Sequence, residues 1–207
     1  MGYKDHFRHK YWHFIDEPFS TDGTPLKQPV APNAQTQVPL FRQTLADTGA
    51  SDSVRSYDLA WLLHLVGDLH QQLHATSRFN SAEPNGDAGG NDVKISCALS
   101  CDSAKELHAF WDDLLSRNNA PVQDAIDAAG ALPPADAQQA SQADEKDWIQ
   151  QSFALAKSQV YLDPPVGNGD DPFALTGSYQ TGSLAIATKQ IALAGARLAN
   201  LLNDALK

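Results

Sequence analysis

Cysteine is nearly absent from this chain: Cys97 and Cys101 are the only two in 207 residues, so no disulfide scaffold organises the fold. Their C-x3-C spacing allows one local bridge and allows two free thiols equally well. Positive charge is also scarce. With 15 Lys and Arg against 25 Asp and Glu, the net charge of -10 excludes a polyphosphate-binding surface built from side chains alone. A nucleic-acid partner would require bound cations. No apolar run approaches the ~20 residues that span a bilayer, which excludes stable membrane insertion. Met1-Gly2-Tyr3-Lys4 lacks the basic and then apolar character of a secretory signal, and no Asn-x-Ser/Thr sequon occurs. What remains, 42% apolar and 19% charged residues, is the composition of a globular protein with one sizeable core, read as a single domain over residues 1–207.

Asp16 to Pro39 carries Pro18, Gly23, Pro25, Pro29 and Pro32 and reads as a long ordered loop. A helix is expected from Gln35 or Leu40 to Ala46, with Pro39 obscuring its start. From Ser56 to His74, Leu59, Leu62, Leu63, Val66, Leu69 and Leu73 recur at helical spacing, with Ser56 placed to cap. SRFNSAEPNGDAGGND then reads as a loop and Val93 to Cys97 as a short strand. Further helices are expected over Ala104–Ser116, Pro121–Ala129, Asp136–Leu162, which Pro164 and Pro165 stop, and Tyr179–Leu206. The fold class is therefore all-α, a multihelical bundle with long loops and at most a short β-hairpin.

One pattern recurs: His64-x3-Asp68 and His108-x3-Asp112 both set an imidazole four residues before a carboxylate. Four helical steps return a side chain to nearly the same face, so each pair can grip one cation. A single pair also makes an ordinary helix-surface contact; two pairs on apolar helices, LLHLVGD and ELHAFWD, are harder to dismiss. On a continuous helix His74 lies about 80° from His64, so it serves a neighbouring metal rather than the same one. His70 points away from the His64 face and reads as a structural residue, while His6 and His9 read as solvent-exposed. Nitrogen and oxygen donors without nearby thiolates suit zinc with open positions. Zinc brings the pKa of a bound water to roughly 7, and paired metals clamp both oxygens of an in-line displacement at phosphorus. Phosphoester hydrolysis is the chemistry that follows.

Taken in order, WHFID, HLVGDLHQQLH, GDAGGN, LHAFWD and QIALAGARLANLLN resemble the S-one/P-one nuclease family of zinc-dependent single-strand nucleases, relatives of the zinc-dependent phospholipases C. The resemblance runs through nearly the whole chain. It implies His13, His64 and Asp68 for one zinc, His74, His108 and Asp112 for a second, and Asp68 bridging toward a third, with a zinc-held water as nucleophile. Two of the family's three zincs are supported by residues here. Phe14, Asp16 and Asn91 match positions that hold a nucleobase, a role for which a stacking face, a carboxylate and an amide are suited. A core phenylalanine and a loop-capping aspartate are the bland alternative. Gly89 and Gly90 are expected to let the chain turn close to the site.

Gln72 stands where the family usually has proline. Only twelve residues precede His13, and MGYKDHFRHKYW has no counterpart of the amino-terminal tryptophan, histidine and aspartate that complete the family's metal shells. The expectation is a chain shortened at its amino end, with Asp5 or His6 poor substitutes because flexible termini position ligands badly. The implied activity is cleavage of single-stranded DNA and RNA to 5'-phosphorylated products, with 3'-nucleotidase activity alongside it. Phospholipase C action and a catalytically impaired metal- or nucleotide-binding role are the competing readings. WHFID and GGN favour a nucleotide, and no segment resembles a membrane-docking helix. The family is generally exported, so the expected location of the natural full-length product is periplasmic or secreted.

Overall fold

Asn33 starts the first helix. Its side chain accepts from the Thr36 backbone N–H, and the Thr36 hydroxyl accepts from that of Asn33 at 3.0 Å. This reciprocal capping supports α1 over Ala34–Ala46, so the helix begins before Pro39 and runs through it. In the computed structural model, residues 9–101, 104–115, 121–161, 166 and 172–207 are described. Asp5, His6, Ser116, Leu162, Pro164 and Pro165 lie outside them.

α2 spans Asp52–Asp68 and is capped by the Ser51 hydroxyl, with Ser56 inside the helix rather than at its start. It also stops earlier than the leucine periodicity predicts. The His70 and Gln71 N–H groups turn back to the Gly67 and Asp68 carbonyls, Gln71 takes an extended ψ, and its side-chain oxygen accepts from the Leu73 N–H at 2.6 Å. The chain leaves the helix there and re-forms as a 3-10 turn over Gln72–Ala75. Leucine spacing reports burial, and these local side-chain bonds to backbone decide where the helix breaks.

α3 (Leu107–Asp113) and α4 (Val122–Gly130) follow. The helix expected over Asp136–Leu162 is divided. Asp136 caps a single turn, α5 (Ala137–Ala140), Asp144 caps α6 (Glu145–Leu155), and a π-helical turn continues over Ala156–Val160. Between α5 and α6 the Trp148 indole donates to the Gln142 carbonyl, fixing the break. Thr176 caps the long α7, Gly177–Ala205. Among the described residues four strands of three residues, β1 (Pro18–Ser20), β2 (Ser77–Phe79), β3 (Ile95–Cys97) and β4 (Phe173–Leu175), pair as β1–β2 and β3–β4. Both pairs are parallel, so they are long-range clasps and not the hairpin allowed for above; β1, β2 and β4 lie in stretches read as loop or left unassigned. Cys97 and Cys101 form a disulfide.

The fold is mainly helical. Among the described residues no helix is long and apolar enough to cross a membrane. Two hydrophobic clusters fill the interior: Phe41, Trp61, Leu65, Leu69, Trp148 and Leu201 belong to the first, and Leu73, Leu107, Trp111, Val160 and Leu175 to the second. Leu69 and Leu73 flank the break that follows α2, so the chain is anchored in one cluster where it leaves the helix and in the other where it enters the 3-10 turn.

Candidate metal centre

His13 ends a 3-10 turn, Lys10–His13, whose Trp12 packs edge-on against Trp61 and Phe41, with ring centres 5.0 and 5.3 Å apart. That aromatic contact holds the segment beside α2. His13 Nδ1 and His64 Nε2 each lie 3.1 Å from Asp68 Oδ2, and the two imidazole nitrogens are 2.9 Å apart. His64 and Asp68 reach this point from one helical face, as their spacing requires.

The second group assembles His74 from the 3-10 turn with His108 and Asp112 from α3. His74 Nε2 is 3.4 Å from Asp112 Oδ1, and His108 Nε2 is 3.5 Å from Asp112 Oδ2. Each ring is anchored by its other nitrogen: His74 Nδ1–H donates to the His13 carbonyl at 2.9 Å and His108 Nδ1–H to the Gly89 carbonyl at 2.8 Å. Both Nε2 atoms thereby face the carboxylate, and loss of the Nε2 proton would leave each of them free to ligate a metal ion. The separation of His74 from the first trio thus arises from the break in α2 rather than from the angle along a continuous helix. In each trio one ligand atom per residue lies within 4.8 Å of the others, so both groups can hold a metal ion. The donor set, two imidazoles and a carboxylate with both anchored rings fixed through carbonyls, fits zinc.

Charge couples the two groups. Burial opposes ionisation of Asp68, yet His74, His13 and His64 together hold it well below the usual carboxylate range. Burial also opposes protonation of His74, but the Asp68 and Asp112 carboxylates outweigh it and raise His74 to about 9. His64 is raised, chiefly by its hydrogen bond to Asp68, and His108 is lowered by burial and by neighbouring His74. The site is a concentrated negative field suited to a cation.

Phe14 and Asp16 line one pocket of about 270 Å³ with Tyr11, Lys27, Ser77 and Asn85. Asn91 is not among its lining residues; it is exposed, and its amide donates to the Ala88 carbonyl at 2.8 Å. Gly89 and Gly90 adopt φ of +62° and +81°, and a Cβ on Gly89 would meet the Leu73 carbonyl oxygen at 2.4 Å. The turn thus passes as close to the site as the paired glycines suggest.

His70 is a core residue: its Nδ1–H donates to the Val66 carbonyl and its Nε2 accepts from Arg197 at 2.9 Å, while burial lowers it to about 4. His9 differs from expectation, being half-buried and stacked on Trp12 at 3.7 Å, because an indole offers it a face to cover. Gln72 is buried and donates to the His70 carbonyl.

Two residues escaped the sequence reading. Gln71 Nε2–H donates to Asp112 Oδ1 at 2.8 Å while its Oε1 holds Leu73, so it ties α3 to the 3-10 turn. Asp87, within GDAGGN, is fully buried, accepts from the Arg78 backbone at 3.0 Å and lies near the Arg78 guanidinium at 3.6 Å. Its charge contributes, after burial, to raising Asp16 to about 6. Attention to every polar residue in the two motifs, beyond the His and Asp pairs, would have singled out both.

Comparison with known proteins gives one positive finding. A family model described as S1/P1 Nuclease matches residues 2–207, nearly the whole chain. No curated protein matches it.

Proposed function

Because the chain belongs to the S1/P1 nuclease family, we propose that it is a zinc-dependent phosphodiesterase acting as one catalytic domain. It cuts single-stranded DNA and RNA to 5'-phosphorylated products and also removes phosphate from 3'-nucleotides. The observation that carries this reading is the pair of His/His/Asp groups joined through the His13 residue, whose ring belongs to one group and whose carbonyl anchors His74 of the other.

In this reading His13, His64 and Asp68 hold one zinc and His74, His108 and Asp112 hold another. When bound, zinc supplies Lewis acidity at the phosphate oxygens and an activated water near neutral pH. The chain's own residues supply position. Asp68 keeps its carboxylate ionised and acts electrostatically on both groups, and the anchored rings of His74 and His108 keep Nε2 aimed at the site. Phe14 offers a stacking face for a base and Asp16 a hydrogen-bonding edge in the pocket beside His13. Asn91 serves a base only from the exposed rim of the neighbouring turn. Cations in both groups also resolve the conflict between a net charge of -10 and an anionic substrate. The Cys97–Cys101 disulfide supports an oxidising compartment, periplasmic or extracellular.

The test is hydrolysis by zinc-loaded protein of single-stranded DNA, duplex DNA and phosphatidylcholine side by side. Preferential cleavage of the single strand with 5'-phosphate ends is expected; selective cleavage of the lipid would overturn the proposal.

A further inference from the structure

The Phe14 pocket has a polar wall to which the roles above give no task. Lys27, from the loop after β1, and Asn85, from the turn after β2, both line it. Lys27 Nζ donates to Asn85 Oδ1 at 2.5 Å, joining segments 58 residues apart. A second tie joins the same two loops. Asp22 Oδ1 accepts from the Thr24 N–H and hydroxyl, and its Oδ2 accepts from the Ser81 N–H at 2.8 Å. Gly86, with φ +89°, lets the turn lie close against β2, where an added Cβ would collide with the Ser77 hydroxyl. The wall is thus arranged before a ligand arrives, which lowers the ordering cost of binding.

Hydrogen-bonding sense decides what such a wall reads. An ammonium carries three donors and no acceptor, and Lys27 spends one of them on Asn85. Because the Asn85 oxygen faces Lys27, its amide has NH2, the donor half, left for other partners. These two side chains therefore offer a ligand donors rather than acceptors. Asp16 lines the same pocket and, when ionised, offers only acceptors. A base that satisfies both must carry acceptors on one edge and N–H groups on the next. Guanine does, since O6 and N7 accept while N1–H and the N2 amine donate. Adenine and cytosine put an exocyclic amine where this wall needs an acceptor. Uracil and thymine keep the carbonyl but bring a single N–H to Asp16.

We propose that Lys27 and Asn85 make the Phe14 pocket selective for guanine, the Lys27 ammonium and Asn85 amide donating to O6 and N7 while the Asp16 carboxylate accepts from N1–H and the N2 amine. This selectivity rests on the function proposed above and names the base preferred beside the phosphate that is cut.

Zinc-loaded wild type, Lys27→Met and Asn85→Leu are compared on dinucleoside monophosphates that place guanine, hypoxanthine, adenine, cytosine or uracil at each position in turn. The same proteins are titrated calorimetrically with guanosine and adenosine. Lys27 and Asn85 are exposed, and thermal melting confirms that the variants fold. At one of the two base positions, and only there, guanine raises kcat/KM over adenine by about tenfold or more, the discrimination of one good bidentate pair. Guanosine binds more tightly than adenosine by a similar factor. Hypoxanthine, which keeps O6 and N7 but lacks the N2 amine, falls between them. In both variants the guanine-to-adenine ratio falls toward one. A ratio near one in wild type while cleavage proceeds overturns the guanine site and leaves the nuclease reading standing. So does a Lys27→Met protein slowed equally on every base with its ratio intact, the mark of a lysine that serves the phosphate. If zinc-loaded protein cleaves none of the dinucleotides, the nuclease reading fails and the guanine site fails with it.

Discussion

Asp16 pairs the base-binding role proposed for it with a stability cost. Burial and then the Asp87 carboxylate raise it from 3.8 to about 6. A carboxyl with a folded-state pKa above its unfolded value favours the fold while protonated, and that contribution is lost as pH rises from about 4 through 6. Asp16→Asn should therefore be more stable than wild type at about pH 8, with the difference closing toward about pH 4. After allowance for solvent at this partly exposed group, a gain of about 1–2 kcal/mol is expected in denaturant melts. A gap independent of pH would show that the Asp16 carboxylate is not under strain. Gln71 carries the opposite trade, ordering the site without touching a metal. Gln71→Leu removes its donor to Asp112 and should weaken zinc at the second group by about 10–100-fold, leaving the first group unchanged in a chelator competition titration. Equal weakening of both groups would instead point to a general loss of folding.

At the scale of elements, the turn that carries Gly89 sets where α3 meets the histidine-rich segment. Gly89→Ala combines φ +62° with a 2.4 Å approach to the Leu73 carbonyl and should cost roughly 2–3 kcal/mol. Gly195→Ala, on α7 with nothing within 4 Å of the added carbon, should stabilise by about 0.5–1 kcal/mol. Opposite shifts in the denaturation midpoint check the pair. Helical periodicity made α2 and α7 legible because each repeats an apolar pattern over several turns, and the shorter α3 showed through its His108-x3-Asp112 spacing. It could not reveal the end of α2 at Asp68, which depends on the Gln71 side chain bonding Leu73, nor the split between α5 and α6, fixed by Asp144 and Trp148. The parallel clasps β1–β2 and β3–β4 were equally hidden, since three residues carry no period and their partners lie far along the chain. The two His-x3-Asp pairs were readable as local geometry, and His74 joined a separate group as expected. The carbonyl anchors from His13 and Gly89 emerge only when distant segments meet.

At the scale of the molecule, two clustered His/His/Asp groups in a chain of net charge -10 would make the proposed metal binding a source of stability. An ion that binds only the folded chain stabilises it by mass action, about 2.7 kcal/mol at a hundredfold excess over Kd. Chelation should lower Tm by roughly 5–10 °C, and added zinc should restore it. A Tm unmoved by either treatment would mean that the groups do not hold metal in the folded protein. The central claim is that these two groups make an acidic helical protein a phosphodiesterase. It is tested most directly by titrating zinc into metal-stripped protein while following cleavage of single-stranded DNA. The account predicts no cleavage at the start, activity that rises as both groups fill, and 5'-phosphate ends on every product. Cleavage that is undiminished without metal, or absent when both groups are full, would contradict it.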